Sequence, residues 1–537
     1  MTLARLVDRA ARRYPEAPAV VDGPRRLTYA DLASQAAALG RGLAGLGIGK
    51  GDRVLIALKN RLEHVLAYWA LQSIGGVPTP VNYRLTLREL RYVLEDGGAR
   101  VALFESATAA GMLEATEGWR GCLVFVGDEV PAGAVPFAEL LGSNHAPLDR
   151  AVRESDLSLI LYTSGTTGRP KGVPRTHRNH HAGARAHVIQ CGYQWGERTL
   201  GVMPLYHTMG IHLLTSMAAV NGCFVCQADW SAEAALSLIE RERVSALYLI
   251  PTLFHDLVRA VERSSAKVSS VRKLAYAGAP MLASLTDACV KAFHPEVFVN
   301  HYGSTEIYTF SVFPDVHTKP GCAGRPGIHS KLRVVEASRE RRVGAEETVP
   351  PGEKGEIIAS LDSDEAFAGY WKRPDADAHA LRDGWYFTGD MGYLDEVGDL
   401  FVAGRVDDMI ISGGENIHPA EIEEVLARHP QVRDVAIVGE PDEKWGERVV
   451  AFVVRKDAEL TAAALDRYGL ESPALANFKR PRRIVFVEEI PKTASGKILR
   501  RLLRDGHYRE VSPMSPAWGE EAQPPQRSQS RGSEVDK

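Results

Sequence analysis

No long hydrophobic run occurs in this 537-residue chain. A helix that crosses a bilayer needs about 18 or more consecutive, largely uncharged apolar residues, and the sequence offers no such stretch. Residues 1–10 are charged and lack the apolar core of a secretory signal peptide. The sequence therefore predicts no membrane span and a cytoplasmic protein.

Cysteine is scarce, with six residues dispersed along the chain. So thin a spread is not a disulfide framework and is typical of a reducing compartment. Cys223 and Cys226 form a C-x-x-C pair, but they stand in an apolar run with no second pair nearby. We interpret them as small residues of a buried strand rather than as a redox or metal pair.

The chain also has no large excess of one charge, since it contains 64 Lys and Arg and 68 Asp and Glu, for a formal net charge of −4. That balance argues against nucleic-acid binding and against a polybasic membrane contact. Any phosphate group must therefore be bound by a local site.

What the sequence does contain is an alternation of short β-branched runs with amphipathic stretches. The apolar runs, which we expect to be strands, include residues 53–58, 100–104, 157–162 and 246–250. The stretches 63–73 and 87–95 between them have helical periodicity. This alternation predicts an α/β fold of wound, mostly parallel sheets with flanking helices. The length is too great for a single core, so more than one domain is expected.

The pattern changes near Arg405, where a compact α+β unit is predicted. Its expected helix and strands lie at 419–428, 432–438, 449–454 and 483–487. The tail is rich in Pro, Ser, Gln and Glu and is predicted to be disordered. The predicted domains are a large N-terminal domain at 1–404, a small mobile C-terminal domain at 405–511 and the tail at 512–537.

A loop rich in glycine and hydroxyl residues follows the predicted strand 157–161, with the sequence Tyr162-Thr-Ser-Gly-Thr-Thr-Gly-Arg-Pro-Lys-Gly172. Such a loop directs backbone N–H groups and hydroxyls into one small volume that suits phosphate oxygens, and Lys171 adds a point charge. The P-loop of nucleoside triphosphatases is excluded, because no Gly-Lys-Ser/Thr follows at its spacing. The sequence therefore predicts a different kind of polyphosphate loop.

Four further motifs follow along the chain. They are Asn300-His-Tyr-Gly-Ser-Thr-Glu306, Gly384-Trp-Tyr-Phe-Thr-Gly-Asp390, the segment 404–419, and Pro491-Lys-Thr-Ala-Ser-Gly-Lys497 with the basic run to Arg501. Together with the first loop they resemble the acyl-adenylate-forming superfamily of acyl-CoA synthetases, firefly luciferase and peptide-synthetase adenylation domains. The resemblance covers about residues 1 to 505, with the motifs in the family's order.

The resemblance implies that ATP and Mg²⁺ are bound. It assigns Thr305 to the α-phosphate, Glu306 to Mg²⁺, Asp390 to the ribose hydroxyls and Lys497 to catalysis of adenylation. The catalytic positions carried over are Lys497, Thr305, Glu306, His207 and Gly414. The ATP-binding positions carried over are Thr163, Ser164, Gly165, Thr166, Thr167, Gly168, Lys171, Gly278, Ala279, Tyr302, Gly303, Asp390 and Arg405.

Coenzyme A is implied as the acceptor of the acyl group. By resemblance, Gly414 lines the pantetheine tunnel, where a side chain would block the passage. Asp407 matches the hinge about which the small domain rotates. The remaining CoA candidates match nucleotide contacts of the 4-chlorobenzoate–CoA ligase type, and they are Arg84, Trp445, Arg480 and Arg482.

The segment 202–210 corresponds to the acyl-pocket wall of the family. Amino-acid-activating relatives have an Asp after the aromatic residue, whereas His207 follows Tyr206 here. A buried ammonium without a carboxylate is costly, so amino acids are disfavoured as substrates. The predicted pocket residues are His187, Met203, His207, Met209, Gly278, His301 and Tyr308. The histidines favour a polar ring, such as furoate or hydroxybenzoate, although for each of them a structural role is an equal alternative.

A separate histidine cluster, His177, His180 and His181, fits no metal-ligand spacing. We predict that these three side chains lie on a solvated helix face.

The sequence thus predicts an ATP-dependent, AMP-forming ligase that joins an aromatic or heteroaromatic acid to coenzyme A, with closest likeness to benzoate-type aryl-CoA ligases. A medium-chain fatty acyl-CoA ligase, a ligase that delivers acyl-AMP to a carrier protein and a luciferase-like enzyme remain alternatives. A non-catalytic relative is disfavoured, because Lys497, Glu306 and the first loop are all present. The expected partners are a carboxylic acid, ATP and CoA without nucleic acid, and a homodimer is an open alternative for assembly.

Overall fold

The computed structural model describes residues 1–142, 151–163, 170–338, 341–413, 415–493, 496 and 498–511. The chain separates into two compact units. The larger unit comprises Met1–Met409 together with Lys492–Ile498, and the smaller comprises Ile410–Pro491 with the chain from Leu499 onward. The predicted domain limits at 404/405 and 511 stay predictions.

The strands of the larger unit are short and mostly buried. They are β1 Pro18–Asp22, β2 Arg25–Thr28, β3 Arg53–Ala57, β4 Val77–Pro80, β5 Ala99–Glu105, β6 Cys122–Val126, β7 Ala134–Pro136, β8 Leu157–Thr163, β9 Lys171–Thr176, β10 Arg198–Gly201, β11 Cys223–Cys226, β12 Ala246–Leu249, β13 Lys273–Tyr276, β14 Val297–Tyr302, β15 Ser311–Phe313, β16 Cys322–Pro326, β17 Leu332–Val335, β18 Gly355–Ser360, β19 Leu381–Arg382, β20 Trp385–Leu394 and β21 Leu400–Arg405.

The helices of the same unit alternate with these strands. They are α1 Ala4–Arg13, α2 Tyr29–Gly45, α3 Leu62–Ile74, α4 Leu87–Gly97, α5 Ala109–Ala115, α6 Phe137–Leu141, α7 His177–Gln190, α8 Thr208–Ala219, α9 Ala232–Glu242, α10 Pro251–Glu262, α11 Ala283–Phe293 and α12 Pro374–Ala380.

The largest sheet has a parallel part and an antiparallel part. Strands β1, β11, β10, β12, β13 and β14 pair in parallel, and beyond β14 the sheet continues antiparallel through β15, β16, β21, β20, β18 and β17. A second sheet, β4-β3-β5-β6-β7, is parallel throughout, and β8 and β9 form an antiparallel hairpin. The predicted α/β class is confirmed. The carboxyl ends of parallel strands are where open α/β sheets bind ligands.

The smaller unit has an α+β build. Its elements are β22 Ile410–Ser412, β23 Glu415–Ile417, α13 Pro419–Ala427, β24 Val432–Asp442, β25 Gly446–Arg455, α14 Ala462–Glu471, β26 Arg483–Phe486 and α15 Arg500–Arg504. Pro419 occupies the first turn of α13, where a missing N–H costs nothing, and Ile422, Val425 and Leu426 turn one face inward. The ladder of β24 and β25 carries the core of this unit.

The prediction for the histidine cluster on α7 is wrong. His177, His180 and His181 are all buried, because α7 packs against both α8 and the β8–β9 hairpin. Small residues make this close packing feasible, since a Cβ on Gly183 would lie only 2.6 Å from His212 Nε2. A neutral imidazole can be buried where a charged side chain cannot.

Two expectations concern single features. Cys223 and Cys226 lie buried on β11, as the interpretation of that run required. Within the described ranges, no helix is long and apolar enough to cross a membrane.

Candidate active site

The motif Asn300–Glu306 begins at the carboxyl end of β14 and turns sharply. Gly303 is required there, because a Cβ would lie 1.8 Å from the Tyr308 carbonyl oxygen. The Ser304 hydroxyl accepts hydrogen bonds from the backbone N–H groups of Glu306 (3.1 Å) and Ile307 (3.3 Å). The turn therefore places Thr305 and Glu306 just beyond the sheet edge.

Asp390 has a partner on each carboxylate oxygen. Tyr302 donates its hydroxyl to Oδ2 at 2.7 Å, and Arg405 Nη1 donates to Oδ1 at 2.5 Å and to the Thr388 carbonyl at 3.1 Å. Asp390 and Arg405 are direct partners in the β20–β21 ladder, which explains the alignment. Burial, and then the nearby Asp390, raise the pKa of Tyr302 well above its ordinary value, so its hydroxyl stays a donor. The carboxylate is held in place beside a cation.

Glu306 lies next to Tyr370 and Lys171. The Tyr370 hydroxyl donates to Glu306 Oε1 at 2.6 Å, and Lys171 Nζ stands 4.2 Å from the centroid of the Tyr370 ring. Burial lowers the pKa of Lys171, while Glu306 acts in the opposite direction. Together with Tyr302, Asp390 and Arg405, these three residues form what we call the polar cluster.

The polar cluster fits Mg²⁺ and a nucleotide in its donor chemistry. Among the described residues Tyr370 makes the only hydrogen bond to the Glu306 carboxylate, and that bond engages Oε1. The second oxygen can thus serve a hard cation, which takes one or two carboxylates plus phosphate oxygens. Thr305 is close by and accepts a hydrogen bond from Thr208 Oγ1 at 3.0 Å on its own hydroxyl.

A second group, the ring cluster, consists of His187, His212, Tyr248, His301 and Tyr308. Tyr308 stacks on His212 with ring centroids 3.5 Å apart and planes at 2°, and its hydroxyl lies 3.1 Å from His187 Nδ1 and 3.4 Å from the Tyr248 hydroxyl. His301 Nε2 is 3.1 Å from Thr309 Oγ1, and its ring centroid is 4.7 Å from that of Tyr308.

The histidines of the ring cluster are neutral. Burial lowers the pKa of His301 to about 3 and lowers those of His187 and His212 well below the ordinary value. The cluster is therefore a packed set of flat, uncharged rings. The sequence-predicted pocket residues His187, His301 and Tyr308 come together here.

His207 caps helix α8, since its Nδ1 accepts the backbone N–H of Met209 at 3.3 Å. Burial lowers the pKa of His207 to about 4. Its predicted neighbours Met203 and Met209 are both buried, and Asn60 Nδ2 donates to the Met203 carbonyl at 2.7 Å. His207 is therefore a neutral imidazole whose Nδ1 is engaged in capping a helix.

Thr163 and Lys171 stand opposite each other at the ends of β8 and β9, with Thr163 Oγ1 donating to the Lys171 carbonyl at 3.4 Å. Gly278 follows β13 with a φ of +87°, a conformation that favours glycine, and Ala279 comes next. The other predicted loop and domain positions lie outside the described residues; they are Ser164, Gly165, Thr166, Thr167, Gly168, Gly414 and Lys497.

Three of the four predicted CoA contacts are exposed within their own units, and Arg480 is partly buried. In the larger unit, the Arg84 guanidinium lies 5.2 Å from the Tyr83 ring centroid. In the smaller unit, Trp445 is 45% exposed, Arg480 forms an ion pair with Asp466 (Nε to Oδ1 3.3 Å), and Arg482 is exposed. The predicted hinge residue, Asp407, is also exposed.

Comparison with known proteins decides the family. Residues 7–371 match the profile described as AMP-binding enzyme, and residues 421–497 match that of the AMP-binding enzyme C-terminal domain.

The chain belongs to the AMP-binding enzyme family.

Named relatives cover nearly the whole chain. The identity to 4-chlorobenzoate–CoA ligase of an Arthrobacter species is 34% over 513 residues, covering 94% of this chain and 95% of that protein. The identity to feruloyl-CoA synthase of an Amycolatopsis species is 36% over 508 residues, covering 92% and 97%. The crystal structure of an anthranilate CoA ligase in complex with anthranoyl-AMP is similar with a TM-score of 0.84 at 26% identity, covering 94% of this chain and 97% of that one.

The predicted family and the predicted activity are confirmed by these matches. This AMP-binding enzyme is an ATP-dependent, AMP-forming acid–thiol ligase of the acyl-CoA synthetase type, with ATP, Mg²⁺ and coenzyme A as its cofactors and co-substrates.

Several residues of the site were not predicted from the sequence. Tyr370 and Thr208 contact Glu306 and Thr305, and His212 and Tyr248 complete the ring cluster. One signal was available for Arg175, which is buried on β9 two residues after the buried Val173. In a strand, residues two apart share a face. An inward-facing Val173 therefore predicts that Arg175 faces inward as well.

Proposed function

We propose that this ligase activates an aromatic or heteroaromatic carboxylic acid, of the benzoate, hydroxybenzoate or furoate type. The observation that carries the proposal is the ring cluster. Its flat side chains are uncharged and tightly packed beside Thr305 and Glu306, since Tyr308 belongs to the same sharp turn. Flat neutral rings favour a flat, uncharged ring on the substrate through offset and edge-to-face contacts.

The polarity of the cluster favours a ring that carries a heteroatom or a hydroxyl group. Tyrosine hydroxyls and neutral imidazoles offer both donors and acceptors, and Tyr308, His187 and Tyr248 already form such a chain. The names of three similar proteins also refer to aromatic acids: 4-chlorobenzoate, ferulate and anthranilate. We assign Met203, His207, Met209 and Gly278 to the remaining pocket wall.

Adenylation joins two anions, so cations must line the path. A carboxylate oxygen attacks the α-phosphorus, a new P–O bond forms, and pyrophosphate leaves with the electrons of the broken bond. Asp390 would accept hydrogen bonds from the ribose hydroxyls, with Arg405 and Tyr302 holding its orientation. Lys171 would contact the leaving phosphates, and Glu306 would hold Mg²⁺, which supplies charge stabilisation when bound. Thr305 is assigned to the α-phosphate and Lys497 to the reacting oxygens.

Thioester formation then transfers the acyl group from AMP to the thiol of coenzyme A. The thiol releases its proton to solvent, the C–S bond forms, the bond between the carbonyl carbon and the phosphate oxygen breaks, and AMP leaves with the electrons of that bond. We assign Gly414 to the passage of the pantetheine arm, Asp407 to the hinge, and Arg84, Trp445, Arg480 and Arg482 to the CoA nucleotide. A cytoplasmic location and a homodimer remain predictions.

The test is pyrophosphate release from ATP with a panel of acids, each with and without coenzyme A. The panel contains benzoate, hydroxybenzoates, furoate, octanoate and phenylalanine. The proposal predicts the highest kcat/KM with one aryl acid and repeated turnover only when coenzyme A is present. Preference for octanoate would refute the aromatic assignment but keep the chemistry, and a single turnover that coenzyme A does not extend would point to a carrier protein as the acceptor.

A further inference from the structure

Arg175 is a cationic side chain buried in the interior of the larger unit. It lies on β9, the strand that follows the phosphate loop, and its side chain is only 2% exposed. Its Nη1 donates to the carbonyl oxygens of Thr305 at 2.8 Å and Glu306 at 3.1 Å. Among the described residues, these two carbonyls are the only hydrogen-bond partners of the guanidinium, since Nε and Nη2 have none.

The energetics argue against a purely stabilising role for Arg175. Burial lowers its pKa to about 10, which means that the surroundings disfavour the charge, although Glu365 and Glu306 act in the opposite direction. Buried donors without partners add a further cost. An apolar side chain beside Val173 would fill this space without either cost. What an apolar side chain could not do is hold the two carbonyls.

Glu365 supplies the buried counter-charge through space, since among the described residues no ion pair joins it directly to Arg175. Its side chain is fully buried, and its Oε2 accepts the backbone N–H of Thr309 at 3.0 Å. Burial raises the pKa of Glu365 to about 7, with Arg175 as the largest influence in the opposite direction. A carboxylate and a guanidinium therefore flank the same short stretch of chain, residues 305–309.

The segment 365–370 holds this stretch from the other side. Besides the Glu365 contact, the backbone N–H of Phe367 donates to the Glu306 carbonyl at 2.9 Å, and the Tyr370 hydroxyl donates to Glu306 Oε1. The Glu306 carbonyl thus accepts hydrogen bonds from both Arg175 and Phe367. Residues 305 and 306 are connected at the same time to the β8–β9 hairpin and to the segment that carries Tyr370.

We propose that Arg175 is a positioning residue for adenylation: it fixes the backbone of Thr305 and Glu306 relative to the phosphate-loop hairpin, with Glu365 as its buried counter-charge. The inference rests on the proposed roles of Thr305 and Glu306. A displacement of about 1 Å at such groups can cost about 100-fold in rate, so a residue that never touches the substrate controls the step. Thioester formation from a finished acyl-adenylate requires neither Mg²⁺ nor the leaving phosphates, so only the Thr305 contact to the retained α-phosphate still depends on Arg175.

The experiment measures the two half-reactions separately in Arg175→Met, Arg175→Lys and the matched control Arg178→Met. Arg178 is an exposed arginine on α7 that pairs with Glu154 and has no place in the site. Arg175→Met should lower the rate of pyrophosphate release about 100-fold. Thioester formation from supplied acyl-adenylate and CoA should fall by a much smaller factor. Arg175→Lys should be intermediate, because a lysine keeps the charge but replaces the planar guanidinium by a compact ammonium, and Arg178→Met should match the wild type.

A double variant separates positioning from stability. Removing Arg175 alone leaves Glu365 buried without its counter-charge, which lowers stability. Arg175→Met with Glu365→Gln removes both charges and keeps an acceptor for the Thr309 N–H, so the thermal midpoint should recover. Adenylation should stay slow in the double variant, because no side chain donates to the two carbonyls. Recovery of adenylation together with stability would overturn the proposal.

Measuring Glu306→Gln in parallel distinguishes a failure of the proposed site roles from a failure of the positioning inference. If Glu306→Gln retains normal adenylation, the proposed site roles are wrong, and the inference about Arg175 falls with them. If Glu306→Gln is slow while Arg175→Met is as fast as the wild type, only the positioning inference is wrong. Equal losses in both half-reactions of folded Arg175→Met would also overturn it, since they would indicate a general structural role.

Discussion

The polar cluster and the ring cluster both take residues from the chain segment 302–308, yet they treat buried polar side chains differently. In the polar cluster, Asp390 is paired with Arg405, and Glu306 accepts a hydrogen bond from Tyr370 beside Lys171. In the ring cluster, burial keeps the histidines neutral, and their partners are tyrosine hydroxyls and stacked rings. Charge is therefore available where phosphates are expected and is removed where an acyl group is expected.

The difference in charge between the two clusters follows from the partners that contact each buried side chain. An ionised side chain is tolerated in a low dielectric only when an opposite charge or several hydrogen bonds lie close to it. Histidine can satisfy the same environment by losing its proton. Under the proposed function, the ligase separates anion chemistry from ring recognition by the choice of side chain in the two clusters.

The largest expected effect concerns the pH dependence of stability. Burial lowers the pKa of eight histidines, which are His64, His177, His180, His181, His187, His207, His212 and His301. Their stabilising contribution is complete above the ordinary pKa of 6.5 and is lost as the pH falls towards the folded values, about 4 for His64, His177, His181 and His207. The free energy of unfolding should therefore fall by about 8 kcal/mol as the pH is lowered from 6.5 to 5.5.

Calorimetry at pH 7.5, 6.5 and 5.5 checks this prediction. The thermal midpoint should fall by roughly 10 °C per pH unit in the lower interval. Glu365 acts in the opposite sense, because its pKa of about 7 is raised, so its contribution is present below 4.5 and is lost as the pH rises through 7. His255→Gln, at an exposed position, serves as the control with an unchanged slope. A flat profile between pH 7.5 and 5.5 would contradict neutral burial of the histidines.

Removing the carboxylate charge of Glu306 should have the next largest effect. Glu306→Gln keeps the acceptor for Tyr370 but loses the charge that would hold Mg²⁺, so kcat/KM for ATP should fall about 1,000-fold. Adenylation measured over a range of Mg²⁺ concentrations checks it, with the exposed Glu117→Gln as the matched control. An unchanged requirement for Mg²⁺ in a slow variant would place the metal elsewhere.

The Asp390–Arg405 pair on β20 and β21 should contribute less, because the other partners of these side chains, Tyr302 and the Thr388 carbonyl, remain. Asp390→Asn removes the charge that aligns with Arg405 and replaces one acceptor by a donor. We expect kcat/KM for ATP to fall about 100-fold, mainly through KM. Steady-state kinetics with varied ATP and saturating acid would show it. A loss confined to the KM of the acid would mean that Asp390 does not face the nucleotide.

The ring cluster should show the smallest effect, and on a different substrate. Tyr308→Leu removes the stacking on His212 and the hydroxyl near His187, so kcat/KM for the preferred aryl acid should fall about 10-fold relative to octanoate. The KM for ATP should be unchanged. Tyr308→Phe retains the ring and should keep the preference for aryl over alkyl acids. If both variants alter only the KM for ATP, the two clusters are not separate in function.

Much of the fold was predictable, because hydrophobic periodicity is a local signal. The stretch 63–73 is α3, and the predicted helix at 419–428 is α13 within one residue. Boundaries that depend on pairing were less predictable: the strand predicted at 432–438 extends to Asp442, because β25 continues to pair with it. The antiparallel half of the large sheet was also not expected, since strand direction depends on partners far away in the chain.

The site was predictable where a motif carried it and not where tertiary contacts carried it. Tyr302, Asp390 and Arg405 were selected from three separate motifs, and the structure brings them into one hydrogen-bonded group. Tyr370 and His212 depend on the packing of distant segments, which no local pattern shows. The error on α7 has the same origin, because the polarity of a histidine does not reveal whether its proton is lost on burial.

The most direct test of the account is a competition between acids in one reaction. The ligase is incubated with ATP, Mg²⁺, coenzyme A and equimolar benzoate, furoate and octanoate, and the acyl-CoA products are quantified by mass spectrometry. The account predicts that an aromatic or heteroaromatic acyl-CoA dominates, with its acyl-AMP accumulating when coenzyme A is omitted. Predominance of octanoyl-CoA would contradict the central claim that the ring cluster selects a flat, uncharged ring.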